Sequence, residues 1–189
     1  MIVNITDTEL KTCEDFANKI DTEHYSSRGQ TDEKKKSRDQ IVGKVAEIAA
    51  HNYLKLKGIE TNYPDFQIYT AKKKSWDFDL KASNYNIHIK AQDVIQAKKY
   101  GYSWIFQHGN GKGYGYDKEI FDQVSPNQYV IFVSVDLFEK IAEIKAACSL
   151  TFLHEKELFD LPKVWQLQSN KKAVYLDAIS KYPEEMFKL

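Results

Sequence analysis

Apolar residues recur at helical spacing in two segments near the start of the chain. The first segment follows Thr6 and Glu9, which form a capping-box pattern, and predicts a helix over about 7–20. Its apolar positions are Leu10, Cys13, Phe16, Ala17 and Ile20. A second apolar stripe predicts a longer helix over about 36–57, with Gly58 as its stop signal.

The polar and apolar pattern then changes to that of strands. Short β-rich segments occupy 66–70, 76–81, 86–92 and 102–107. The segment 129–136, "YVIFVSVD", is apolar on both faces, which predicts a central strand. Helical and strand-like pieces alternate after it. We therefore predict one domain over residues 1–189, of the α/β (α+β) class, with a mixed central sheet flanked by helices and a core motif region over 36–136.

The segment "WDFDLKASNYNIHIKAQ" predicts a hairpin with one polar face. On its second strand, His88, Lys90 and Gln92 alternate with apolar residues and so share a face. A turn at Ser83-Asn84 places Asp79 opposite His88, and Asp77 opposite Lys90. A turn at Asn84-Tyr85 instead places Asp79 opposite Lys90, and Asp77 opposite Gln92. Either register brings the aspartates and the polar row to one surface.

The charge balance and the cysteine content limit the kinds of function that this sequence suggests. The sequence contains 27 basic and 27 acidic residues, so binding of nucleic acid would require a local basic patch rather than bulk charge. Cys13 and Cys148 are far apart in the sequence, which favours buried thiols in a reducing, cytoplasmic setting over a disulfide or zinc site. We see neither a signal peptide nor an apolar run that would span a membrane.

A carboxylate beside a lysine suits phosphodiester chemistry. The carboxylate holds a hard divalent cation, and the ammonium group offsets charge on the phosphate or orients the nucleophile. The structural alternative is a solvated hairpin face with a cross-strand ion pair. Glu47 lies among small and apolar residues of the second predicted helix, where its carboxylate could reach the edge of the sheet.

The order "GKVAEIAAHNYLKLKG" then "FDLKASNYNIHIKAQ" resembles the core of the PD-(D/E)XK nuclease superfamily, the restriction-endonuclease-like fold. The resemblance covers roughly residues 40–107. It matches Glu47 to the helix glutamate, Asp79 to the strand aspartate and Lys90 to the lysine. Gln92 falls on a polar position often found just after that lysine. It implies a Mg²⁺- or Mn²⁺-dependent deoxyribonuclease, with endonuclease action favoured.

His88 stands where the family has an acidic residue. An imidazole binds divalent metals but adds no negative charge. Two outcomes are open. Glu47 and Asp77 supply the missing charge, so that metal ligands are Asp79, Glu47, Asp77 and His88; alternatively, the domain binds nucleic acid without cutting it.

Basic residues near the motif are the expected DNA contacts. Those we single out are Lys44, Arg38, Lys73, Lys74 and Lys112. Lys112 belongs to a glycine-rich loop over 107–118 that lacks the order of a nucleotide P-loop. Such contacts would position a phosphate backbone without reading bases. DNA is the expected partner, and a homodimer would allow both strands to be cut.

Overall fold

A computed structural model describes residues 1–20, 32–68, 78–109 and 117–188. Its helices are α1 Asp7–Lys19, α2 Glu33–Leu56, α3 Val94–Tyr100, α4 Lys118–Phe121, α5 Leu150–Glu155 and α6 Leu176–Ile179. Its strands are β1 Ile2–Asn4, β2 Leu80–Ala82, β3 Tyr85–Asp93, β4 Ser103–Gln107, β5 Gln128–Asp136, β6 Ile141–Ser149 and β7 Lys171–Tyr175.

Both predicted helices form, and their ends follow the predicted signals. The capping box at Thr6 and Glu9 is present at the start of α1. At the end of α2, Gly58 adopts φ 76° and Ile59 N–H donates to Leu54 O at 2.9 Å. That bond belongs to the Schellman geometry that favours glycine. Helix α2 begins at Glu33, three residues before the predicted start, because Asp32 caps it through Lys35 N–H.

The main sheet is mixed and five-stranded, in the order β1-β6-β5-β3-β2. Strand β3 runs parallel to β5, whereas the other three pairs are antiparallel. The prediction that 129–136 forms a central strand is confirmed, since β5 lies between β3 and β6. The predicted class, a mixed sheet flanked by helices, is confirmed at this level.

Two apolar cores cover opposite faces of this sheet. The first core joins α1 and α2 to one face, on which β3 contributes Ile87 and Ile89. The second core lies on the other face, where β5 contributes Val130 and Phe132. Strand alternation accounts for the division, because consecutive side chains point to opposite faces.

A second sheet pairs β4 with β7 and belongs to the second core. Trp104 of β4 is buried there, and its indole N–H donates to Val133 O of β5 at 3.0 Å. That bond satisfies the polar group of a large buried ring and ties the small sheet to the main one. The predicted strand over 102–107 therefore forms, outside the main sheet.

Other predicted strands differ from the structure. Residues 66–68 are irregular, and the remainder of the predicted strand 66–70 lies outside the described residues. Of the predicted strand 76–81, residues 76 and 77 lie outside the described part of the chain, and strand β2 begins at Leu80, after a bend at Asp79. Among the described residues, no helix combines the length and apolar character that a membrane crossing needs.

Candidate functional site

The hairpin turn sets the position of Asp79. Ala82 pairs with Tyr85, so the turn is Ser83-Asn84, and Ser83 has φ 50°. Asp79 does not form a simple opposed pair with His88, since its N–H donates to Ile87 O at 3.0 Å. Its Oδ2 instead accepts the N–H of Ile89 at 2.6 Å. The carboxylate thus binds the edge of β3 at the residue between His88 and Lys90.

The polar row of β3 faces the second core. His88 pairs in register with Val130 and Lys90 with Phe132, both of which are second-core residues. The Lys90 Nζ lies 4.8 Å from the centre of the Phe106 ring, a cation–π distance. His88 is buried, and the side chain of Lys90 is 22% exposed. The predicted shared face of His88 and Lys90 is therefore present.

Asp117 joins this group, although the sequence reasoning missed it. Its Oδ2 lies 3.5 Å from Lys90 Nζ and accepts the Gln107 N–H at 3.2 Å. Gln107 in turn accepts a hydrogen bond from Lys171 Nζ at 2.5 Å through its Oε1. Asp117 lies near the end of the glycine-rich loop over 107–118, and that loop is the sequence signal nearest to it. The result is a connected polar network of alternating charge beside Lys90.

The Gln92 side chain forms hydrogen bonds to the backbone through both of its polar atoms. Its Nε2 donates to Gly101 O at 3.0 Å, and its Oε1 accepts the Ser103 N–H, also at 3.0 Å. Gly101 lies in the turn between α3 and β4, and Ser103 is the first residue of β4. The amide therefore joins β3 to the start of β4, and both ends of the side chain are used by the backbone.

Glu47 and Lys90 make contacts on opposite faces of the sheet. The Glu47 carboxylate accepts a hydrogen bond from Lys44 at 2.6 Å, and both side chains are 14% exposed. The Lys44 Nζ also donates to Asp65 O at 2.7 Å and lies 5.0 Å from the centre of the Phe16 ring. These partners belong to the side of the first core. The ion pair thus occupies Lys44, which was predicted to contact DNA.

The other predicted basic contacts divide into two groups. Arg38 forms an ion pair with Asp93, and this hydrogen bond raises the pKa of Arg38. The same Asp93 caps α3 by accepting the Ile95 N–H at 2.8 Å, so the pair links α2 to α3. Part of the Arg38 side chain remains exposed to solvent. Lys73, Lys74, Lys112 and the proposed ligand Asp77 lie outside the described residues.

The donors among the described residues fit a metal ion that takes few protein ligands. In the ranges that the structure describes, no three histidine, cysteine, aspartate or glutamate side chains form a group that could hold an ion. Mg²⁺, however, usually takes one or two protein carboxylates and completes its shell with water and substrate phosphate. Asp79 is exposed and offers such a carboxylate at the sheet edge. The described donors thus fit a cation held mostly by water and phosphate.

Comparison with protein-family models found no match for this chain. Comparisons with curated proteins and with solved structures likewise found no significant similarity.

Proposed function

We propose that this protein hydrolyses phosphodiester bonds in DNA with the help of Mg²⁺ or Mn²⁺. The observation that carries the proposal is the hydrogen bond from Ile89 N–H to Asp79. It ties a carboxylate to the strand between an imidazole, His88, and an ammonium group, Lys90. The helix, the aspartate and the lysine strand also follow one another in the order of the restriction-endonuclease-like core, which supports that finer fold assignment.

Each side chain would have a separate role in this reaction. Asp79 and His88 would hold the cation, which when bound supplies Lewis-acid polarisation of the phosphate and a more acidic water. Lys90 would orient the attacking water and offset the charge that develops on the phosphate. Asp117 is a positioning residue, because it holds the Lys90 ammonium from the side of β4.

The test is cleavage of supercoiled plasmid DNA in Mg²⁺ or Mn²⁺. We expect Asp79→Asn and Lys90→Met each to lower the cleavage rate at least about a hundredfold, the effect of removing one positioned electrostatic group. Methionine keeps an unbranched side chain over Phe106, so folding should be retained. Accumulation of nicked plasmid would indicate one cut per encounter, and direct formation of linear plasmid would indicate a homodimer.

Two variants serve as matched controls. Lys145 also lies on a strand, pairs with Glu143 at 2.5 Å and sits 4.2 Å from the centre of the Tyr102 ring. Asp136, like Asp79, accepts backbone N–H groups at a strand end. Lys145→Met and Asp136→Asn should cut at the wild-type rate. Equal rates in all five proteins would exclude this site.

A second candidate function is a nucleic-acid-binding module without nuclease activity. The ion pair between Glu47 and Lys44 favours it, because that carboxylate is already neutralised on the other face of the sheet. This candidate predicts salt-dependent DNA binding without metal-dependent cleavage. His88→Glu distinguishes the two: a gain of cutting indicates a site that has lost its acid, whereas a loss indicates that the imidazole is a ligand.

A further inference from the structure

Trp165 is a large aromatic side chain that lies mostly in water. It begins a short 3₁₀ helix, Trp165–Leu167, and is 74% exposed. Trp104, the other tryptophan of the described residues, is by contrast buried in the second core. A single exposed ring is common on protein surfaces, so its surroundings decide whether it has a function. A tryptophan ring that a partner covers contributes strongly to binding, because its contact surface is large and rigid.

The loop that carries Trp165 is fixed at both ends. At its start, the Nζ of Lys163 donates to the Tyr100 carbonyl oxygen at 2.9 Å. At its end, the Asn170 carbonyl oxygen accepts the Gly109 N–H at 3.0 Å. Glycine is required there, because a Cβ on residue 109 would lie 2.7 Å from the Asn170 Cα. The exposed ring therefore belongs to a loop whose backbone position is defined.

A second ring and several lysines lie close to Trp165 in the chain. Lys163 is exposed, and its Nζ lies 5.3 Å from the centre of the Tyr175 ring. The segment 161–176 contains three lysines and no acidic residue. Aromatic rings that stack on bases, beside ammonium groups that contact phosphates, are typical of surfaces for single-stranded nucleic acid. A chain without net charge would need such a local basic segment in order to bind DNA.

The loop is connected to the network that surrounds Lys90. The Asn170 carbonyl oxygen also accepts a hydrogen bond from Gln107 Nε2 at 3.3 Å. The Gln107 N–H donates to Asp117, which pairs with Lys90. Trp165 precedes Asn170 by five residues, so their Cα atoms are at most about 18 Å apart. A DNA strand whose phosphate lay at Lys90 would thus have bases within reach of the Trp165 ring.

We propose that the Trp165 ring stacks on an unpaired base of the DNA strand whose phosphate lies at Lys90. The inference deepens the proposed function and rests on it for the choice of DNA as the ligand. Every base has a π-face, so the contact tolerates different sequences. Within a duplex, both faces of a base are covered by its neighbours. The substrate is therefore single-stranded or locally opened DNA.

The first test is the fluorescence anisotropy of a labelled oligothymidylate of about twelve nucleotides, a length within the site sizes of such surfaces. EDTA keeps the DNA uncut, and low salt keeps the phosphate contacts strong. We expect Trp165→Ala to raise the Kd at least about fivefold, the lower limit for the loss of one base–aromatic stack. Phe138→Ala is the matched control, because Phe138 is 88% exposed at the turn between β5 and β6. It should leave the Kd unchanged.

The second test is the tryptophan fluorescence of the protein during the same titration. Stacking on a base should quench the emission of Trp165, whereas the emission of Trp104 should not change, because Trp104 is buried. Trp165→Phe keeps an aromatic ring but removes this fluorophore. It should bind the oligonucleotide with a Kd close to that of the wild type and lose most of the quenching.

Three results would overturn the proposal: no binding of the oligonucleotide by the wild type, a wild-type Kd for Trp165→Ala, or equally tight binding of a duplex of the same length. If Trp165→Ala also lost a self-association seen in sedimentation velocity while its Kd for DNA stayed unchanged, the ring would belong to a protein interface. The outcome is separable from that of the nuclease proposal. A protein that shows the stacking but never cuts DNA keeps this inference and loses the proposed activity.

Discussion

Replacement of Gln92 by alanine should destabilise the protein without acting on the chemistry. The side chain is buried, and it satisfies both the Gly101 carbonyl and the Ser103 N–H at 3.0 Å. Alanine would remove both hydrogen bonds and leave those backbone groups without side-chain partners. This matters for the assignment of the site, because the sequence resemblance gives Gln92 a catalytic position.

The expected magnitude follows from the two bonds. Each intramolecular hydrogen bond contributes about 0.5–1.5 kcal/mol net, and a buried group left unpaired costs about 1–3 kcal/mol. Partial access of water to the turn lowers the upper figure, so we expect a loss of about 2–3 kcal/mol for Gln92→Ala. For a chain of this length, that corresponds to a fall in Tm of about 4–12 °C.

Thermal and urea unfolding of Gln92→Ala provide the measurement, with Gln96→Ala as the control. Gln96 is exposed on α3, so its replacement should change stability by less than about 0.5 kcal/mol. A wild-type Tm for Gln92→Ala would refute the structural role. So would a loss of DNA cleavage at a temperature where the variant is fully folded, since that result would make Gln92 part of the chemistry.

Three further predictions concern the rest of the molecule. Burial opposes ionisation of Glu9, but hydrogen bonds from Thr6 and Asn52 outweigh it and lower the pKa of Glu9 below its usual 4.5. The ionised group therefore stabilises the fold above pH 4.5, and this stabilisation is lost as the pH falls through the lowered pKa. Glu9→Gln should reduce the Tm at pH 7, and the Tm values of the variant and the wild type should converge in acid. A difference in Tm that stays constant with pH would contradict this. Glu157 has φ 51° directly after α5, a backbone conformation that favours glycine. Glu157→Gly should therefore raise the Tm by about 2–4 °C. An unchanged or lower Tm would count against backbone strain at this position. Burial raises the pKa of Cys13 and Cys148 to about 12, so neither thiol should react with Ellman's reagent at pH 8 until the protein unfolds, and rapid labelling of the native protein would contradict their burial.

Local signals in the sequence were sufficient for much of the fold. The capping box at Thr6, the stop at Gly58 and the two-sided apolar pattern of β5 depend on residues close together in the chain. Strand β6 was not predicted, because its short alternating pattern competes with a helical one: Ile141, Ile144 and Cys148 recur at helical spacing, and alanine, glutamate and lysine favour helices. The contribution of tertiary packing decides between the two.

The sequence predicted the site only where its residues are close together in the chain. Alternation along β3 predicted the shared face of His88 and Lys90, and the structure has it. Asp117 reaches Lys90 from 27 residues away along the chain, a separation for which the sequence carries no spacing rule. The expected approach of Glu47 overlooked a constraint: a helix that covers Ile87 and Ile89 packs on the face opposite the polar row.

The central claim is that the Lys90 ammonium group, which pairs with Asp117, acts on a DNA phosphate. The most direct measurement is the ratio of the Mg²⁺-dependent plasmid cleavage rates of Lys90→Met and Lys145→Met, two half-buried lysines with similar partners. We expect Lys90→Met to be at least about a hundredfold slower than its counterpart. Equal rates in folded protein would contradict the claim and leave Lys90 a structural residue of the second core.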